Sequence, residues 1–433
     1  MDGGIKSVRD ACPDIQFTLE AVGEGLFYSG RMKNFNFVYD CGSQRKGAVD
    51  AAVDRYHKRI GTSALDLLII SHLHSDHVNG LNKLLSLVNV KYIILPYVPP
   101  IERLLIAAAA PRKEPWFYRF LTSPYVYLLE YTGIQRIVVV TSGRDPKKSQ
   151  GGEDVNPNVE DRQPSTNIEG NLDDELAIND GSFESMPEDS EIQSQMEVDG
   201  DLPANLRDKA MVKQDFGYLD IGSNWMFRFF NNPISRSKFN RFVNCLEFIV
   251  GPLRGDLTVK ELSNLLGDPE EIKRFAHCYK KVSSDLNFTS LVALHSPFRW
   301  KAGSYIELER YSGVTGLHNL ECVMPSLPSK EIGHLMLGDI NLKSSWGKLQ
   351  QHYNKYLGNI DAVLIPHHGS RQSWHKDLLN AIPSTCRMYL SVGMGNQYNH
   401  PSIDVISDVI NIGRMIRWSN DFCEFSQCYY KIP

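Results

Sequence analysis

Residues 71–80 read Ser-His-Leu-His-Ser-Asp-His-Val-Asn-Gly, and this run constrains the chain more than any other. It follows Leu65-Asp-Leu-Leu-Ile-Ile70, which is short, aliphatic and bounded by turn residues. That pattern predicts a buried strand emptying into a loop. If the backbone leaves the strand still extended, His72 and His74 point the same way. Asp76 and His77 then fall beyond the bend and face the first pair. Two imidazoles on one cation, with a carboxylate and a third imidazole on a neighbour, suit Zn²⁺ or Mn²⁺ and are the makings of a two-metal hydrolytic centre. A single histidine at a strand end is ordinarily just a polar loop residue, but three histidines and an aspartate at this spacing are not explained that way.

Around the run, strands and helices alternate in an α/β pattern. Residues 14–43 read as a strand pair, 46–60 as an amphipathic helix, 80–88 as a short helix, 90–95 as a strand, and 134–141 as another. Residues 100–132 are helix-like, with breaks at Pro99, Pro111 and Pro115. Downstream, Asn224-Trp-Met-Phe-Arg-Phe-Phe230 alternates as a strand does, and 286–297 contain a further one. Ile332-Gly-His-Leu-Met-Leu-Gly-Asp339 is a strand ending in Gly-Asp, and a carboxylate just after a strand is well placed to bridge two cations. Asp361-Ala-Val-Leu-Ile-Pro-His-His-Gly-Ser370 again runs strand into histidines, and His400 follows in an Asn-x-x-x-His-Pro sequence.

The net charge of −5 hides a partition. Residues 151–205 hold sixteen of the 51 acidic residues and a single basic one, Arg162. The rest of the chain therefore carries 45 basic against 35 acidic residues, a surplus that favours a phosphate-rich substrate through steering and counterion release. Residues 142–206 are rich in Asp, Glu, Asn, Ser, Gly and Pro, without periodicity, which predicts a disordered insertion or a surface excursion. Such a tract could also fold over the basic body and compete with nucleic acid. Residues 235–284 read as a helical insertion in which Arg236, Lys238, Arg241, Lys273, Arg274, Lys280 and Lys281 alternate with Phe239, Phe242, Phe275 and Tyr279. It serves either as a cap that grips a backbone or as an amphipathic packing element. The organisation expected is thus 1–141, the acidic 142–206, and 207–433 with the helical insertion. Eight scattered cysteines without a Cys-x-x-Cys pair, no signal-like N-terminus and no long apolar stretch predict reduced thiols and a cytoplasmic protein without a membrane span.

His72-Leu-His-Ser-Asp-His77 matches the HxHxDH signature of the metallo-β-lactamase fold superfamily, and the flanks at 22–28 and 36–43 resemble that family's opening hairpin. The resemblance implies an αββα four-layer sandwich. It also implies that Asp40 orients the site without ligating, and that Asp339 bridges two cations. The set 287–292 (Asn-x-Thr-Ser-Leu-Val), Gly338-Asp339, His367-His-Gly-Ser370 and Asn396-x-x-x-His-Pro401 looks like the soluble hydrolase domain of ComEC-type DNA-uptake competence proteins, over roughly 15–140 and 220–425. That likeness implies a nuclease or phosphodiesterase using Zn²⁺ or Mn²⁺, two ions in all, on nucleic acid.

The metal ligands expected are His72, His74, Asp76, His77, Asp339 and His368. Asp76, as orienter of the nucleophile, and His367 and His400, which assist the leaving oxygen, are the catalytic expectation. His367, His368 and His400 compete for the late ligand position. A further histidine between the first motif and Gly-Asp has only His277, His295, His318 and His334 as positional candidates, while His57, His352 and His375 read as surface or helix residues. Two rival readings stand beside the nuclease: hydrolysis of a small ester, lactone or thioester at the same centre, and a catalytically silent binding or regulatory module.

Overall fold

The computed structural model describes residues 12–110, 112–143, 176–232, 236–252, 257–282, 290–298, 305–314, 321–325 and 331–432. Strands β1 (Ile15–Leu19), β2 (Tyr28–Met32), β3 (Phe35–Tyr39), β4 (Leu65–Ile69), β5 (Val90–Pro96), β6 (Arg136–Thr141) and β7 (Ala210–Gln214) come first. They are followed by β8 (Leu219–Ile221), β9 (Trp225–Asn232), β10 (Ser290–Pro297), β11 (Tyr305–Gly313) and β12 (Glu321–Pro325). The last are β13 (Gly333–Met336), β14 (Ile360–Leu364), β15 (Arg387–Ser391), β16 (Ile416–Ser419) and β17 (Cys423–Lys431).

These strands form two sheets. One runs β12-β11-β17-β1-β2-β3-β4-β5-β6-β7, the other β16-β15-β14-β13-β10-β9-β8. Strands β3 to β7 run parallel in the first sheet and β13 to β16 in the second. Strands β4 to β6 are buried on both faces, which is why they read as near-continuous aliphatic runs. Along β5, Ile93 and Leu95 point to one apolar cluster while Tyr92 and Ile94 point to another.

Three clusters alternate with the two sheets. The outer face of the first sheet packs on helices α1 (Lys46–Ile60), α2 (Ser75–Val78), α3 (Leu81–Leu87), α4 (Pro100–Ala109), α5 (Pro115–Thr122) and α6 (Pro124–Leu129). The middle cluster joins Phe17, Tyr28, Phe37 and Ile94 of the first sheet to Trp225, Phe227, Ala293 and Met336 of the second. Later helices follow: α7 (Ser190–Asp199), α8 (Arg236–Val250), α9 (Val259–Leu266), α10 (Pro269–Val282), α11 (Leu342–Tyr353), α12 (Leu378–Ala381) and α13 (Ile403–Asn411). Trp346 and Leu349 of α11 and Val405 and Val409 of α13 cover the outer face of the second sheet. Helix, sheet, sheet, helix is the αββα metallo-β-lactamase-type sandwich expected.

Residues 176–206 depart from the expected disorder; 144–175 lie outside the described residues. Leu176, Phe183, Met186, Met196 and Leu202 are buried along the acidic stretch, and its Asp201 pairs with Arg103 at 2.5 Å, both fully buried. Asp189 caps α7 by accepting the Ile192 N–H. Widely spaced anchors of this kind vanish when composition is averaged over a long acidic tract.

The helical insertion forms as expected. Phe242 and Phe275 are buried in the outer cluster, while Lys273 and Arg274 form ion pairs with Glu270 and Glu271. The cysteines depart from the reduced state expected, because α8 and α10 bring Cys245 and Cys278 together as a disulfide with 5.5 Å between Cα atoms. Among the described residues no helix is long and apolar enough to cross a membrane.

Candidate metal centre and active site

The site lies where the parallel strands end at their C-termini, the usual place for chemistry in α/β sheets. Strand β3 leads into Asp40, β4 into Ser71 and His72, β13 into Asp339, β14 into His367 and His368, and β15 into the loop that carries His400. Close backbone approach makes glycine necessary at two of these turns. A Cβ on Gly42 would lie 2.3 Å from the Asp76 carbonyl oxygen, and Gly338, at φ +53°, would meet Ser290 Oγ at 2.5 Å. That second approach lets Ser290 Oγ accept the Asp339 N–H at 3.2 Å, which fixes the carboxylate's stem.

Hydrogen bonding around Asp40 sets the tautomers. Asp40 accepts the Ser71 N–H at 2.6 Å, the Ser71 hydroxyl at 2.5 Å and His77 Nδ1 at 2.7 Å. Ser71 Oγ is also 2.8 Å from His72 Nδ1. A hydroxyl has one hydrogen and this one goes to Asp40, so His72 Nδ1–H is the donor and its Nε2 presents a lone pair. His368 Nδ1–H likewise donates to the Ser391 carbonyl at 3.0 Å.

The opposite nitrogens converge on Asp339. His77 Nε2 is 3.4 Å from Asp339 Oδ1, and His72 Nε2 and His367 Nε2 are each 3.9 Å from Oδ2. The Nε2 atoms of His72, His77 and His368 are buried with no hydrogen-bond partner. Burying such an atom unmatched is costly, and a lone pair aimed at a carboxylate is repelled by it unless a cation lies between. Imidazoles anchored through one nitrogen and free at the other are the arrangement of metal ligands. The residues therefore fit divalent cations.

Burial and charge act differently on the groups of the site. Burial, together with the charge of His77, pushes His72 well below the ordinary imidazole range, and burial lowers His74. On His77 burial acts in the same direction, but Asp339 and Asp40 outweigh it and raise its pKa well above that range. Burial would raise Asp339, yet His77 and His367 hold it well below the usual carboxylate range.

The expected residues thus come together. Asp76, His77 and His368 offer donor atoms within 4.8 Å of one another, as do Asp40, His72 and His77. Asp40 already accepts three hydrogen bonds and sits behind the two imidazoles. The ring of His74 is 4.9 Å from that of His72, and the ring of His400 is 5.2 Å from that of His367. His74, Asp76, Asp339, His367, His368 and His400 open into one cavity of about 540 Å³, whose far wall holds Phe117, Lys113 and Tyr279.

The additional histidine does not materialise among the described residues. His295 and His334 are fully buried between the sheets and meet Tyr28 Oη at 3.0 and 2.7 Å, His277 is exposed on α10, and His318 lies outside the described residues. Sequence reading missed Glu24, whose Oε1 is 3.1 Å from His400 Nδ1, and Ser71 and Ser373, which hold His72 and His367. A carboxylate between two glycines at 23–25 was the one local signal of Glu24.

Residues 32–118 match the family model of the Metallo-beta-lactamase superfamily, a stretch that includes the His72–His77 loop. No curated protein matches the chain. Among solved structures, a similar one is the metallo-beta-lactamase fold protein YhfI from Bacillus subtilis, at 8% identity and TM-score 0.36, covering 96% of this chain and 100% of that one.

Proposed function

We propose that this chain is a metal-dependent hydrolase that cleaves phosphodiester bonds of nucleic acid. The observation that carries the reading is the convergence on Asp339 of the buried Nε2 atoms of His72 and His77, neither of them hydrogen-bonded, with His368 in the same cluster of donor atoms as His77 and Asp76. His72, His74 and His77, with Asp76, Asp339 and His368, would hold Zn²⁺ or Mn²⁺, two ions in all. Bound there, the cations would supply Lewis acidity at phosphorus and lower the pKa of a water.

The chain's own residues do the rest. Asp40 orients His77 directly and His72 through Ser71. Asp76 opens into the cavity beside these imidazoles and is placed to align the attacking water. His400, steadied at Nδ1 by Glu24, turns its other nitrogen to the leaving oxygen as proton donor, and His367, anchored on Ser373, stands beside it. Lys113, which makes no ion pair among the described residues, lies on the cavity wall where a phosphate would pass. The basic surplus of the chain and the ComEC-type motifs support a phosphodiester over a carbonyl substrate.

The test is cleavage of single- and double-stranded DNA and RNA with Mn²⁺ or Zn²⁺, beside His74→Ala and Asp339→Ala and a panel of esters, lactones and thioesters. We expect cleavage that chelation abolishes and that either variant lowers by at least about a thousandfold, with circular dichroism unchanged. Full activity in both variants would remove the site assignment. Turnover confined to the carbonyl panel would replace the nuclease reading, and metal binding without any turnover would favour the silent module.

A further inference from the structure

A second cavity, of about 750 Å³, runs between helices α5 and α6 on one side and α9 and α10 on the other. It joins the active-site cavity at Lys113, which lines both. The same two helices also wall both spaces. On α5, Phe117 faces the active site and Tyr118 the second cavity; on α10, Tyr279 faces the active site and Lys273 the second cavity.

The charge of this groove is one-sided. Arg112, Lys113, Arg119 and Lys273 line it against a single carboxylate, Glu130. Arg119 is tied to Glu130 and Lys273 to Glu270, but Arg112 and Lys113 have no partner among the described residues. Thr122, Ser123, Tyr118 and Tyr127 add hydroxyls and aromatic rings along the floor. Ammonium and guanidinium groups in a row, interleaved with aromatic side chains, are what a flexible polyanion needs: cations track its phosphates and rings take its bases.

We propose that this groove is an extended binding subsite for single-stranded nucleic acid, holding the phosphates of nucleotides that flank the scissile bond. The proposal rests on the phosphodiesterase reading and adds to it the form of the substrate: a strand several nucleotides long, unpaired where it leaves the active site. Helices α9 and α10 then act as one wall of a substrate channel, and the helical insertion sets how long a strand the enzyme prefers.

The experiment uses the full metal-loaded chain and non-hydrolysable phosphorothioate oligomers, a trinucleotide and one of about 12 nucleotides. Fluorescence anisotropy over a salt series reads affinity for each. We expect the longer strand to bind at least about tenfold more tightly. In the double variant Arg112→Glu/Lys273→Glu that advantage disappears, and the log–log salt slope of the longer strand falls by roughly 1.4 for two lost phosphate contacts. The charge-conserving Arg112→Lys/Lys273→Arg retains both, which separates loss of charge from loss of fold.

Equal affinities for the two lengths, or a length advantage that survives charge reversal, would overturn the groove. If ordinary trinucleotides are then cleaved as fast as longer strands, the hydrolase reading stands and only the groove falls. If neither length is bound or cleaved, the phosphodiesterase reading falls and takes the groove with it.

Discussion

Glu24 sits in the loop before β2 with Gly23 at φ 70° and Gly25 at φ 134° on either side, backbone shapes that a side chain would resist. Its carboxylate meets His400 Nδ1 through Oε1 and accepts the Gly393 N–H through Oε2 at 3.3 Å. A carboxylate in that position fixes the imidazole's orientation, so Glu24 is a positioning residue for the ring that faces the leaving group. Glu24→Gln should lower kcat by roughly tenfold to a hundredfold on a substrate with an alkoxide leaving group. It should barely affect a nitrophenyl phosphodiester, whose leaving group needs no proton. Parallel kinetics on the two substrates, with metal content measured, decide it; equal losses on both would show that Glu24 only supports the loop. The histidines and the aspartate at 72–77 were legible because their grouping is local. Glu24 was not, because its partner lies 376 residues away and neither residue marks the other.

Among the elements, the aliphatic parallel strands β4 to β6 were plain in the sequence, since burial on both faces leaves an unbroken apolar signature. Strand β11 was not. Its Glu307 and Glu309 are buried and paired with Arg387 at 2.6 and 3.0 Å, so charges stand where a half-buried strand would show apolar residues. The pairing of α8 with α10 was equally hidden, because Cys245 and Cys278 are separated by 33 residues of mixed character. A loop of that length closed by a disulfide gains about 3–4 kcal/mol in the chain-entropy picture. Thermal melts with and without a thiol reductant should therefore separate, with the helical insertion loosening first, and Cys278→Ser should reproduce the reduced curve without reductant. Superimposable melts would show that the bond does not hold the helices together.

On the scale of the whole molecule, the two sheets are joined by polar contacts as well as apolar ones. Tyr28 of the first sheet meets His295 and His334 of the second, and Arg387 reaches from the second sheet to Glu307 and Glu309 of the first. Burial pushes His295 down to about 3 from an ordinary value of 6.5, so it is neutral in the folded protein. Unfolding exposes it and lets it take up a proton whenever the pH lies between those values. Stability is therefore complete above about pH 6.5 and falls as the pH drops towards 3, by up to about 1.4 kcal/mol per pH unit for this one group. Urea midpoints measured from pH 7 to pH 4 should slope less steeply in His295→Gln than in the parent chain, and parallel slopes would remove His295 from the balance.

Strand β1 lies between β2 and β17, with Thr18 Oγ1 at 2.8 Å from Ser426 Oγ across 408 residues of sequence. A ribosome adding about 5–20 residues per second takes roughly 20–80 s to cover that distance. For that time the nascent chain holds an open sheet, with β1 lacking its neighbour and the imidazoles at 72–77 lacking Asp339 for most of it. Completion of the candidate metal site and closure of the first sheet are therefore late events in synthesis, and a chain stalled before β14 would expose a bare strand edge to chaperones and proteases.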